Sequence, residues 1–119
     1  YGSFVHGLGG AFYEEMAYDE SGQYLAGTFV DYMCPTAVES PELDIGHVET
    51  PSPFTVLGSK GCGESCTMSV PACLANAVAD ALKPLGPTVH QLPLKPNHIW
   101  QLIQDAKTSN DSKTDGGRK

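Results

Sequence analysis

At 119 residues, 40% hydrophobic and 18% charged, the chain has the composition of one globular unit rather than a disordered tract. Fourteen acidic residues against seven basic ones leave a formal charge of −7. With no basic stripe to displace phosphate counterions, nucleic acid is excluded as a partner. No apolar run reaches bilayer-spanning length, so no transmembrane segment is expected.

The start at Tyr1-Gly2-Ser3-Phe4, directly in patterned sequence, reads as a piece of a longer chain. Val5, Leu8, Phe12 and Met16 then recur at helical spacing, which predicts a helix from Gly2 to about Glu15. Gly7, Gly9 and Gly10 each weaken that helix by roughly 1 kcal/mol relative to alanine. Close packing against another element and approach of a ligand explain them equally well.

Tyr18 and Tyr24 flank Asp19-Glu20-Ser21-Gly22, the pattern of a hairpin whose glycine takes positive φ. Thr28 to Pro35 and Leu43 to Thr50 read as strands, the second from its initial alternation, with a proline-bounded loop between them. Pro51 to Met68 forms a long irregular stretch, of the kind that in a small chain carries function. A helix opens near Ser69 with Pro71 in its first turn, turns Leu74, Val78 and Leu82 to one side with Ala77 and Ala81 beside them, and stops at Pro84 and Gly86.

Val89 to Leu92 reads as a short strand, and Pro96 opens a last helix with Ile99, Ile103 and Ala106 on one face and Trp100 beside it. Residues 1–106 form the folded part and 107–119 a polar tail expected to be disordered. The order α-β-β-β-loop-α-β-α predicts an α+β segment of about three helices and several short strands.

Within the long loop, "LGSKGCGESC" sets one carboxylate among glycines and thiols. Glu64 is either a solvated loop glutamate or a general base. Gly61 and Gly63 permit close approach and unusual φ, and a loop poor in water and charge would raise its pKa. Lys60 is followed by glycine, so the Walker spacing fails and a triphosphatase is rejected.

Cys62 and Cys66 are spaced C-x-x-x-C, which is neither the redox spacing nor a metal framework; two small side chains packed in a tight loop is the favoured reading. Cys34 and Cys73 stand in apolar surroundings that suit buried free thiols, which points to a reducing, cytoplasmic compartment. His6, taken alone, is a packed or exposed histidine.

The stretch "GLGGAFYEEMAYDESGQYLAGTFVDYMCPTA", the block "VETPSPFTVLGSKGCGES" and "LPLKPNHIW" resemble the C-terminal part of the molybdopterin-binding large subunit of the xanthine dehydrogenase family. The similarity covers about Phe4 to Ile103 and is strongest to bacterial carbon monoxide dehydrogenase-like subunits. The resemblance implies that Glu64, in Gly61-Cys62-Gly63-Glu64, lies beside molybdenum as the base for oxidative hydroxylation of carbon monoxide, an aldehyde or an N-heterocycle.

It further implies that His6, Gly7, Gly9, Gly61, Cys62 and Gly63 approach the cofactor, His6 standing where the family usually carries glutamine. The chain itself would supply no metal ligand. The expected cofactor is molybdenum-molybdopterin, in its cytosine dinucleotide form, with iron–sulfur clusters and FAD on partner subunits. The expected partners are the remainder of the large subunit, those two subunits and a small-molecule substrate, and the chain alone would be inactive.

Two other readings compete. One is a non-enzymatic thiol or metal-binding module built on Cys62, Cys66 and a histidine. The other is a subunit-interaction segment that exposes its Val5/Leu8/Phe12 stripe.

Overall fold

A computed structural model describes residues 1–115, with side chains described as far as Ser109. Three helices carry it: α1 (Gly2–Leu8), α2 (Val70–Leu82) and α3 (Pro96–Asp115). The first continues into a π-helical turn, Gly9–Tyr13, and the second into a 3-10 turn, Lys83–Leu85. The helices therefore stand close to where hydrophobic periodicity and prolines put them.

The long loop is irregular throughout, as its composition implies. The third helix runs beyond residue 106 through the first part of the polar stretch. The side chains of 110–115 and all of 116–119, where a disordered tail was expected, lie outside the described residues.

Two glycines of the first helix, Gly7 and Gly9, stand at close contacts, whereas Gly10 has open space where a β-carbon would stand. A β-carbon on Gly7 would stand 2.6 Å from Val70 Cβ and 3.1 Å from the Thr67 carbonyl oxygen, so α1 and α2 meet backbone to side chain at this position. One on Gly9 would overlap the Glu14 carboxylate and stand 2.9 Å from Pro35 Cδ. Only glycine lets the two helices approach this closely, and the resulting contact offsets its helical entropy cost.

Around that junction lies a small core of Leu8, Ala11, Ala26, Val70 and Leu94. Leu94 is fully buried, and its amide donates to the Ala11 carbonyl at 2.6 Å, which draws the segment before α3 onto the first helix. A Lys95–Glu15 ion pair reinforces that tether. On the later helices the predicted faces are half-buried at Leu74, Val78, Leu82, Ile99, Ile103 and Ala106, whereas Ala77, Ala81 and Trp100 are exposed.

The strands do not form. Among the described residues the one β element is an isolated antiparallel bridge, Tyr18 to Tyr24, with the two rings 5.4 Å apart. This is the expected hairpin, closed at Gly22 with φ +83°. The Asp19 carboxylate accepts from the Ser21 hydroxyl and from the amides of Ser21 and Gln23, which lowers its pKa below the ordinary aspartate value.

Thr28 to Pro35 folds into local turns instead of a strand. The Asp31 and Tyr32 amides donate to the Thr28 carbonyl, and the Thr28 hydroxyl bonds the Asp31 carboxylate at 3.0 Å, so side chains take up groups a ladder would need. Leu43 to Thr50 and Val89 to Leu92 have no partner strand among the described residues, and an unpartnered β-prone stretch gains nothing from its alternation.

Two further expectations are corrected. Cys34 and Cys73 are free thiols, but exposed rather than buried. Leu8 is buried, and Val5 and Phe12 are half-buried, so the exposed apolar surface lies elsewhere, on Phe29, Val30, Val38, Val48, Phe54, Val56 and Leu57.

That surface is large. A compact chain of this mass exposes roughly 6,200 Å²; this one exposes 9397 Å². Its radius of gyration is 19.9 Å, against about 13.5 Å for a compact domain of this length.

Candidate active site

The loop that carries Glu64 is built in two stages. Its first part is a closed turn over 52–58. The Ser52 amide donates to the Gly58 carbonyl at 2.9 Å and the Gly58 amide to the Thr55 carbonyl at 3.1 Å. Gly58 has φ +67°, and a β-carbon there would stand 2.9 Å from Pro51 Cβ. Lys60 then ties the loop back, its Nζ donating to Thr50 Oγ1 at 2.7 Å.

The second part, residues 63–69, is a run of turns leading into α2. The Ser65 amide and hydroxyl both donate to the Cys62 carbonyl, and the Thr67 amide donates to the Glu64 carbonyl at 3.0 Å. Ser69 occupies the N-cap position of α2, but its hydroxyl donates back to the Cys66 carbonyl rather than capping the helix. Thr67 Oγ1 donates to the Ser3 carbonyl at 3.1 Å, and that bond docks the whole run on α1.

This docking brings Glu64 to His6. The His6 Nδ1 to Glu64 Oε1 separation is 4.0 Å, and both side chains face an open depression of about 690 Å³ together with Gly61, Cys62 and Gly63. Of the residues singled out from sequence, these five share one site. Gly7 and Gly9 do not line it: both are buried at the base of α1, where they set the helix packing described above.

Gly61 and Gly63 do not use the positive φ that glycine permits; Gly58 does. The side of each where a β-carbon would stand is open, with no atom within 4 Å, so a ligand can lie against this backbone. Nor do these residues create a water-poor environment. The Glu64 side chain is 81% exposed and that of His6 56%.

No group of three His, Cys, Asp or Glu side chains that could hold a metal occurs among the described residues. The site thus offers a carboxylate, an imidazole and bare glycine backbone to a bound group, and no ligand set for a metal. Those groups fit contact with a bound cofactor, the carboxylate and imidazole as polar partners beside open glycine backbone.

Sequence reasoning missed Gly58, Thr67 and Ser65. Gly58 had a readable signal, a lone glycine after Pro51-Ser52-Pro53 in a turn-rich stretch. Thr67 had none, because its partner is a backbone carbonyl 64 positions away.

The family model for a molybdopterin cofactor-binding domain matches residues 1–41. The chain is 44% identical over 98 residues to the nicotine 6-hydroxylase large subunit of Paenarthrobacter nicotinovorans, covering 82% of this chain and 12% of that one. It is 35% identical over 102 residues to the carbon monoxide dehydrogenase large chain of Afipia carboxidovorans, covering 86% and 13% respectively.

Among solved structures, quinoline 2-oxidoreductase from Pseudomonas putida 86 superposes with a TM-score of 0.80 at 39% identity, over 87% of this chain and 13% of that chain. The chain thus spans about one eighth of the length of the relatives it matches. By sequence and by fold, the chain is similar to one segment of molybdopterin-binding large subunits of the xanthine and carbon monoxide dehydrogenase kind.

Proposed function

We propose that this chain is the C-terminal segment of the molybdenum-binding domain of a hydroxylase large subunit, and that Glu64 is its catalytic base. The observation that carries the reading is the convergence of Glu64, His6 and open glycine backbone on one depression, in a chain of molybdopterin-binding kinship. When bound, the molybdenum cofactor supplies the two-electron redox centre.

The chain's own residues supply the rest. Gly61 and Gly63 leave room for the cofactor beside the loop, and His6 and Cys62 border it. Glu64 presents a carboxylate oxygen that takes the proton from the attacking oxygen nucleophile. The low polarity that favours such a transfer has to come from protein beyond these residues, since Glu64 is exposed here.

For the substrate, we favour an N-heteroaromatic ring over carbon monoxide or an aldehyde. Support comes from the gradient of similarity: 44% to a nicotine hydroxylase subunit and 39% to a quinoline oxidoreductase, against 35% to a carbon monoxide dehydrogenase chain. The cytosine dinucleotide form of the cofactor, partner subunits with iron–sulfur clusters and FAD, and a cytoplasmic location belong to the same proposal and rest on family resemblance.

The thiol or metal-module alternative gains no support from a depression that Cys62 alone among the four cysteines lines. The test is to assay the full large subunit, in its complex, on a pyridine or quinoline, on an aldehyde and on carbon monoxide. Turnover of the heteroaromatic ring at the hydroxylated carbon is expected; turnover of carbon monoxide alone would overturn the substrate assignment.

A further inference from the structure

We propose that His6 is a positioning residue for Glu64, holding its carboxylate toward the depression through a charge-assisted contact from the imidazole. The inference rests on the reading of Glu64 as the base, and adds a partner that the reading does not require.

Three observations carry it. First, no other side chain among the described residues bonds or pairs with Glu64, whose carboxylate is otherwise open to solvent. A glutamate on a turn with free χ angles samples many directions, and a base must be within hydrogen-bond reach of one. The 4.0 Å separation from His6 Nδ1 is closed to a hydrogen bond by a small side-chain rotation.

Second, the imidazole is the better-anchored partner. His6 immediately precedes Gly7, whose contact with Val70 fixes α1 against α2, and Thr67 to Ser3 locks the loop to the same helix. Position is thereby passed from the helix junction to His6 and from His6 to Glu64.

Third, the electrostatics are simple. Glu64 and Cys62 are the other titratable groups facing the depression. His6 is the one titratable side chain of α1, the first turn of α2 carries no acid, and Lys60 is engaged with Thr50. Among the described residues, Glu64 is the one carboxylate paired with the imidazole.

The experiment uses the full large subunit in its holo complex, with His6→Ala, His6→Gln, Glu64→Gln and the double variant His6→Ala/Glu64→Gln. Molybdenum content is measured in each. With molybdenum retained, H6A is expected to lower kcat about tenfold with KM little changed, the size of effect that misplacing a reacting group produces. H6Q keeps an N–H donor at similar reach and should recover to within about threefold of wild type. In the Glu64→Gln background, H6A should have no further effect.

Peptide-resolved modification of His6 by diethylpyrocarbonate gives a readout independent of turnover: it should run faster in Glu64→Gln than in wild type, because the carboxylate no longer engages the ring. A normal kcat in H6A, an H6Q as impaired as H6A, an additive double variant or equal modification rates would overturn the inference. An inactive Glu64→Gln with a normal H6A sinks this proposal alone, whereas an active Glu64→Gln sinks the base assignment beneath it.

Discussion

The junction of α1 and α2 gives the sharpest structural test. Adding one methyl group at Gly7 puts a carbon 2.6 Å from Val70 Cβ and 3.1 Å from the Thr67 carbonyl. Carbon–carbon contacts are comfortable at about 3.5–4.0 Å, so the helices must part by about 1 Å at this point. Val70 is buried among the few core residues.

Overpacking of this kind costs about 1–3 kcal/mol. His6 is the adjacent residue and Thr67 anchors the loop, so the same displacement widens the gap between His6 and Glu64. Gly7→Ala in the full holo complex should therefore accelerate amide exchange of α1 about tenfold or more. It should also lower kcat, by up to about a hundredfold if the shift reaches a full ångström at Glu64.

Hydrogen exchange with mass spectrometry reads the first effect, and turnover per molybdenum the second. Adding Val70→Gly removes the clashing β-carbon with its methyls, so the double variant should be less impaired than the sum of the singles, by about 0.5–3 kcal/mol. Unchanged exchange and unchanged turnover in Gly7→Ala would refute the packing argument.

Two further outcomes follow from surface and charge. The chain exposes an area roughly 3,200 Å² above that of a compact protein of its mass, the scale of an obligate interface. Expressed alone, it should bind 1-anilinonaphthalene-8-sulfonate strongly and self-associate; a dye-silent monomer with a cooperative melt would contradict this reading. At the hairpin, the Ser21 and Gln23 bonds depress the Asp19 pKa. The turn's stabilisation is therefore complete above the unfolded aspartate value and is lost as pH falls through the lower folded value. Acidification below about pH 4 should release the turn amides in NMR exchange, and Asp19→Asn should abolish that pH dependence; an identical acid response in the variant would count against the assignment.

Much of this was legible from the residues, and the parts that were not share a cause. Helix positions followed from Leu74/Val78/Leu82, Ile99/Ile103 and the flanking prolines, because these signals are local. The Tyr18–Tyr24 hairpin was legible for the same reason. Strands at Leu43 to Thr50 and Val89 to Leu92 failed because a strand is defined by its neighbour, and no neighbour is present among the described residues.

The candidate site divided similarly. Glu64 stood out through its glycines and its family motif, but its meeting with His6 depends on Thr67 bonding Ser3 across most of the chain. Gly7 and Gly9 were legible as special, and the choice between packing and ligand approach needed Val70, Glu14 and Pro35 in place. The expected shielding of Glu64 is absent because a loop's own composition cannot exclude water; only surrounding protein can.

The central claim is that Glu64 is the base, and the most direct measurement is single-turnover reduction of the molybdenum centre in the full complex carrying Glu64→Gln, with molybdenum content matched to wild type. The amide keeps the shape of the side chain and removes its capacity to take the proton. A fall in the reduction rate of about 10²–10⁴-fold with substrate affinity retained is the predicted result; a rate close to wild type would contradict the account.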